Sequence, residues 1–290
     1  MKRTTLLLVA AALLTAACHH APKTADDTYT YVDDYNREIS VPAHPTRVVS
    51  TSPAVTEIIF ALGADSLLVG RTDFCTYPPE AAEIESIGGI SNLNIEKILS
   101  LNPDLVISGS MIPQKATDQL AQMGVPVACV IEKQHFDDLF GNIVAIGSLI
   151  GRTDAAAALT ALLCDRVPDK PAATDSAPTV YYVVGFGPTG NFTAGGNTFI
   201  NDIIELAGGR NAAAHVSGWS YSTEALMASD PDYIMIRRED SAAFVRTAPY
   251  RRLSAVKQGR LIAVESSTVD LQVPRNIEAV ETIRKALQTR

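Results

Sequence analysis

The stretch NIEKILSLNPDLVI, residues 94–107, is written a second time as STEALMASDPDYIM, residues 222–235. Each copy opens on a capping residue, Asn94 or Ser222, and places a glutamate, Glu96 or Glu224, in the first helical turn. A short apolar helix pattern, Pro-Asp and an apolar strand follow. One supersecondary element used twice predicts two lobes, each building its own sheet around one copy.

The surrounding pattern agrees. TRVVSTS, LLVGRT, DLVISG and VPVACVI read as buried strands. Between them lie helices over PAVTEIIFAL, stopped at Gly63, over IEKILSL, and over residues 114–123, ended at Gly124. Strands alternating with helices of about ten residues indicate a parallel, doubly wound sheet. After the Pro- and Ala-rich connector PDKPAATDSAP a second series begins: strand TVYYVVGF, helices NTFINDIIELAGG and TEALMAS, strands DYIMIR and RLIAVES, and a helix from Asn276 to Leu287. FDDLFGNIVAIGSLI and TDAAAALTALLCDRV, meeting at Gly151 and Arg152, are helical and lie between the two units. The expected fold class is α/β, two doubly wound lobes joined by a bridging helical segment. The N-terminal lobe is expected over 31–135, the bridge over 136–168 and the C-terminal lobe over 169–290. Lobes joined through helix are expected to shift only slightly relative to each other.

The first 18 residues have the layout of a secretion signal: Lys2 and Arg3, an apolar run from Leu6 to Leu14, then small residues ending at Cys18. The run is too short to span a membrane. Its ending is like a bacterial lipobox, with Thr15 where that motif has Leu, so Cys18 is the expected lipidation site. An ordinary signal cut nearby, with Cys18 a bystander, is the alternative. Residues 19–30, HHAPKTADDTYT, are then a polar tether to the membrane.

Formal charge is −8, and −10 once the signal takes Lys2 and Arg3 with it, so nucleic acid is not an expected partner. Cys75, Cys129 and Cys164 form no CxxC pair. A Cys75–Cys129 disulfide and three buried thiols are both compatible with the spacing.

GFGPTG, residues 185–190, matches G-x-G-x-x-G after a strand. Pro188 and NFTAGG delay the next helix, and Arg210 stands where a ribose-binding acid belongs, which argues against a dinucleotide site. His44, His135 and His215 show no metal-ligand spacing, and neither does the pair His19 and His20 in the tether. His215 and Tyr77 remain candidates for haem ligation. No hydrolase elbow, cysteine-histidine signature or carboxylate pair assembles, so no enzyme, resident cofactor or metal is expected. The aromatics Phe74, Tyr77, Phe192 and Trp219 fall in loops of both lobes and suit a cleft for a large, flat or apolar ligand. For Trp219, in VSGWSYSTE, packing inside the second lobe is the alternative. A first-turn acid favours the helix dipole by about 0.3–1 kcal/mol. That accounts for Glu96 or Glu224 singly, whereas matched placement in both lobes also suits docking onto a partner with two basic sites.

The run DDYNREISVPAHPTRVVSTSPAVTEIIFALGADSLLVGRTDFCTYPPEA, followed by IGG and NIEKILSLNPDLVI, resembles the periplasmic substrate-binding proteins of ABC importers for vitamin B12, haem and ferric siderophores. The likeness extends from residue 31 to about 287, on P-x-R-V-V, S-P-A-x-T-E, Y-P-P-E and L-x-P-D-L-V-I. It implies two α/β lobes bridged by a long helix, with the ligand in the cleft between them. It also implies that Glu96 and Glu224 dock onto arginines of a permease dimer. VGRTDFCTYPPEA and PAVTE are most similar to the cobalamin-binding branch, which places the corrin-contacting aromatic ahead of Y-P-P on Phe74 and further ligand contacts on Phe192 and Trp219. Ile90 stands where that branch has a tryptophan. Its charged ligand-loop positions fall on Ser267 and Leu271, with Asp270 and Arg275 in reach to serve instead, and Tyr77 completes the expected set. The bridging helix is expected to be short, since Pro168 stops it. The implied protein is an exported, membrane-tethered monomer that carries cobalamin, with haem or a siderophore as the other ligands; the alternative from another class is an exported α/β enzyme using the GFGPTG loop.

Overall fold

The computed structural model describes residues 27–289 apart from 172, 173, 175 and 189. The signal, Cys18 and residues 19–26 of the expected tether lie outside the described residues. The chain enters through an antiparallel hairpin, β1 (Thr28–Val32) and β2 (Glu38–Pro42), so residues 28–30 are strand and not tether. The N-terminal lobe continues with β3 (Val48–Ser50), α1 (Pro53–Ala61), β4 (Leu68–Arg71), the short pair β5 (Gly88–Gly89) and β6 (Asn92–Leu93), α2 (Ile95–Ser100), β7 (Leu105–Ser108), α3 (Gln114–Gln122) and β8 (Val127–Cys129). The expected bridge is two helices, α4 (Asp138–Leu149) and α5 (Thr153–Arg166). They pack so closely that a Cβ on Gly147 would strike Ala156. The C-terminal lobe holds β9 (Thr179–Val183), α6 (Phe199–Leu206), β10 (Arg210–Asn211), α7 (Thr223–Ser229), β11 (Tyr233–Arg237), α8 (Arg238–Phe244), α9 (Ser254–Lys257), β12 (Leu261–Val264) and α10 (Asn276–Gln288).

Both four-stranded sheets are parallel, with orders β4-β3-β7-β8 and β10-β9-β11-β12, which is one topology used twice. The repeated phrase sits at the same step in each. Asn94 accepts a hydrogen bond from the Lys97 N–H and Ser222 from the Ala225 N–H, so α2 and α7 begin with the same cap. Asn102 and Asp230 take left-handed backbone (φ 47° and 36°) and turn the chain into Pro103 and Pro231. Asp104 then accepts from the N–H groups of Thr46 (2.8 Å) and Arg47 (3.0 Å), while Asp232 accepts from the N–H and hydroxyl of Thr179 (both 2.8 Å). Each Pro-Asp thus fastens the start of the neighbouring strand, and the internal likeness extends to the side chains that hold the sheet edges.

Helices cover both faces of each sheet. One apolar core runs without a break from α1 and the N-terminal sheet through Leu139, Ile143 and Ile146 of α4 to Ile203 of α6 and Ile283 of α10. Smaller cores lie beneath α2 and α3 in one lobe and α7 and α8 in the other. The lobes are also stitched by Gln272, which accepts from the Lys133 N–H (2.8 Å) and donates to the His135 carbonyl (2.8 Å). A shared core and a buried inter-lobe amide oppose large hinge motion. Cys75, Cys129 and Cys164 are free thiols. The first two are buried and Cys164 is exposed on α5, so neither the disulfide nor a fully buried trio is present.

Asp33 shows what the entry hairpin contributes. Its carboxylate accepts from Arg37 Nε (3.0 Å) and Nη2 (2.6 Å) and from the N–H groups of Tyr35, Arg37 and Cys129, tying the hairpin to β8. Burial would raise this carboxyl, but the Arg37 fork and the N–H groups of Arg37 and Cys129 outweigh it and hold it below the usual range. A depressed folded pKa contributes stability that is complete above the unfolded value, near 3.9, and is lost as pH falls through the folded value. Asp232, lowered first by the Thr179 N–H, acts in the same direction. Through Asp33 and Asp232 the urea midpoint is therefore expected to fall as pH drops below about 4, with Asp33→Asn costing about 1–3 kcal/mol at neutral pH and removing part of that fall.

Candidate functional site

In parallel sheets the ligand crevice lies at the carboxyl ends of the strands. Here those ends carry Thr72–Pro78 after β4, Gly109–Ile112 after β7, Val184–Asn191 after β9 and Glu265–Thr268 after β12. Seven of the eight expected site residues fall in three groups in or beside these segments.

In the N-terminal lobe Phe74 lies over Gly89, whose ideal Cβ would be 3.7 Å from the ring, and Ile90 is half-buried in the turn beside it. The loop is held by Asp73, whose N–H donates to the Gly88 carbonyl (3.0 Å) and whose carboxylate accepts from Ser86 (2.5 Å). In the C-terminal lobe Phe192 bridges to Gly185 on one side and to Ser220 on the other, and the Thr193 N–H donates to the Trp219 carbonyl (2.8 Å). Phe192 and Trp219 therefore sit on adjacent backbone segments. Glycine is required beneath them: a side chain on Gly195 or Gly196 would collide with the carbonyls of Val216, Gly218 and Ala214.

The GFGPTG stretch also finds its place here. Gly185 and Gly190 lie 3.1 and 3.7 Å from the Phe192 ring, measured from an ideal Cβ, and the Gly187 N–H donates to the Tyr250 hydroxyl (3.1 Å). The glycines seat an aromatic side chain, and the next helix, α6, starts only at Phe199. Phe74, Tyr77, Phe192 and Trp219 are 59%, 41%, 37% and 46% exposed, far from the burial of a core plug.

The third group crosses between the lobes. Arg275, just before α10, donates from Nε and Nη2 to the two carboxylate oxygens of Glu57 in α1 (2.9 and 2.6 Å) and from Nη2 to Ser267 (3.2 Å). Its guanidinium lies 3.5 Å from the centroid of the Tyr77 ring. Tyr77 and Ser267 thus both contact Arg275. Glu57, the last residue of S-P-A-x-T-E, joins them although nothing local gives its role: its partner is 218 positions away, and it is buried within α1. Asp270 stands apart. It accepts from the Tyr182 hydroxyl (2.6 Å) and from Arg237 Nε (3.0 Å) and Nη2 (2.8 Å), so its carboxylate is occupied inside the C-terminal lobe.

Four cations near these groups are paired with carboxylates. Arg275 pairs with Glu57, Arg237 with Asp270, Lys133 with Asp34 and Arg238 with Glu265. Arg71 donates to the carbonyls of Thr72, Ala81 and Ala82. His215 is exposed and packs edge-on against Tyr221. Among the described residues no cluster of three or more histidine, cysteine or acidic side chains is placed to hold a metal. Glu96 and Glu224 are both exposed, and neither takes part in an ion pair among the described residues.

The sequence profile of the periplasmic binding protein family matches residues 48–268. A cobalamin-binding protein of Halobacterium salinarum is 34% identical over 274 residues, covering 89% of this chain and 73% of that protein. Among solved structures, the haem-binding protein RhuT of Roseiflexus is 28% identical with a TM-score of 0.71, covering 83% of this chain and 99% of that one. The vitamin B12 binding protein BtuF of Vibrio cholerae is 25% identical with a TM-score of 0.67, covering 84% and 97%. With two like-wound parallel sheets over a shared helical core, the chain belongs to the periplasmic binding protein family.

Proposed function

We propose that the protein is an exported receptor that captures cobalamin, or a related corrinoid, between its lobes and hands it to an ABC permease without covalent chemistry. The 34% identical cobalamin-binding relative supports this ligand. The observation that carries it is that four cations near the proposed pocket are paired with carboxylates. A corrin ring bears uncharged amides around an extended apolar face, which suits exposed aromatic side chains whose neighbouring arginines already hold carboxylates. Haem brings two carboxylates and asks for an imidazole or phenolate ligand to its iron. Haem or a ferric siderophore is the second reading, favoured by the haem-binding neighbour and by the exposure of Tyr77.

Phe74 and Ile90 form one wall of the proposed pocket, Phe192 and Trp219 the other, and Tyr77 with Ser267 and Arg275 the floor. Asp270 supports the floor through Tyr182 and Arg237. Glu96 and Glu224, matched in cap chemistry and unpaired among the described residues, are the proposed contacts for a two-fold permease. A lipid on Cys18 would hold this monomer at the membrane through the tether.

Cyanocobalamin titrated into the mature chain should quench Trp219 fluorescence saturably, with one site by calorimetry and tighter binding than haemin or a ferric hydroxamate. The calorimetric titration of Trp219→Ala should show a loss of about 1–2 kcal/mol of affinity, roughly 5- to 30-fold. No saturable cyanocobalamin binding, or tighter binding of haemin, would sink the corrinoid reading.

A further inference from the structure

Glu57 is placed as no surface acid is. Its side chain is 5% exposed and that of Arg275 is 12% exposed, and the pair joins α1 of one lobe to the segment before α10 of the other. Burial pushes the Glu57 carboxyl up against the pull of Arg275, so the contact carries a desolvation cost that an apolar pair of the same size would avoid. What the ion pair supplies instead is direction. Two parallel bonds, 2.9 and 2.6 Å, fix the plane of the guanidinium, and the Ser267 hydroxyl meets it at 3.2 Å. The face of that plane rests on the Tyr77 ring, 3.5 Å from its centroid, while Tyr77 is still 41% exposed. On an exposed loop side chain, a flat charged face at this distance restricts the angle of the ring.

We infer that Glu57 is a positioning residue for the ligand cleft: it fixes Arg275 across the lobe boundary, and the guanidinium face fixes Tyr77 as the platform on which the ligand rests. The inference rests on the reading of this cleft as the ligand site. It assigns Arg275 the task of holding Tyr77 in place, and makes a residue outside the ligand's reach a determinant of affinity.

The test uses the full mature chain labelled with 3-fluorotyrosine, with the Tyr77 fluorine signal identified by its loss in Tyr77→Phe. Glu57→Gln should move that signal towards the free amino acid in the absence of ligand and weaken cyanocobalamin binding about tenfold. Tyr77→Leu should weaken binding by a similar factor, and Glu57→Gln with Tyr77→Leu by no more than either alone, because both remove one platform. Arg275→Lys keeps a cation beside Glu57 and loses the fork and the flat face. It should reproduce the effect if Glu57→Gln folds poorly. A Tyr77 signal unmoved in both variants, or affinity losses that add, overturns the inference. If the parent chain binds no cyanocobalamin, the corrinoid reading falls, and the fluorine signal still decides whether Glu57 positions Tyr77.

Discussion

Reversing Glu96 and Glu224 together to lysine is expected to cut cobalamin uptake more than about 100-fold in vesicles carrying the cognate importer, while cyanocobalamin affinity stays within about twofold of the parent. The separation follows from where the two residues stand. Each is the second residue of a short helix, exposed, and outside the three side-chain groups of the cleft. Placing a cation opposite a basic site costs several kcal/mol per contact, and the two reversals act on one docking event. The helix-start contribution is a separate and smaller effect. Asn94 and Ser222 keep their capping bonds in the variant, so only the favourable charge at each dipole is lost and the melting temperature should drop by a few degrees. Uptake at the parent rate would remove the docking role and leave capping as the whole reason for both glutamates. Loss of ligand binding would move the residues into the cleft's own machinery. Single reversals should fall between the parent and the double variant, since a two-fold partner retains one contact.

The parts of this protein that are legible in sequence are those whose causes are local. Buried strands such as DLVISG and DYIMIR announce themselves by composition, and the caps Asn94 and Ser222 by position, so the repeated unit and the parallel winding follow directly. The β1–β2 hairpin carries the alternation Thr28-Tyr29-Thr30-Tyr31, with the tyrosines turned inward, and could have been found by its period of two. It is hidden by its nearness to a polar tether. The helices α8 and α9 are short and polar at their starts, and only packing beneath Phe244 and Ala255 makes them helical. GFGPTG carries a misleading local signal, because whether a glycine seats a phosphate or a phenyl ring depends on Phe192 returning beside it. Glu57 and Arg275 lie at the far end of that scale. Nothing within twenty residues of either names the other, and only the closure of two lobes brings them together.

Asp270→Ala is expected to lower the melting temperature by about 5–12 °C with or without ligand, which distinguishes a scaffold residue from a ligand contact. The carboxylate takes a 2.6 Å bond from Tyr182 and a fork from Arg237, and both partners are drawn from the middle of the C-terminal sheet. Burial pushes the Asp270 carboxyl up while Tyr182 and Arg237 pull it back. Removing it leaves a buried phenol and a partly buried guanidinium without their acceptor, at a cost of about 2–4 kcal/mol. Tyr182→Phe should cost less, about 1 kcal/mol, because Asp270 keeps Arg237. Asp270→Leu combined with Arg237→Met should recover much of the loss, since the penalty in the single variant comes from the stranded partner and not from the missing attraction. If Asp270 instead faced the ligand directly, alanine would weaken binding and leave the ligand-free melting temperature where it was. Thermal melts of the three variants, each with and without cyanocobalamin, separate these outcomes, and they place Asp270 either beneath the cleft floor or in it.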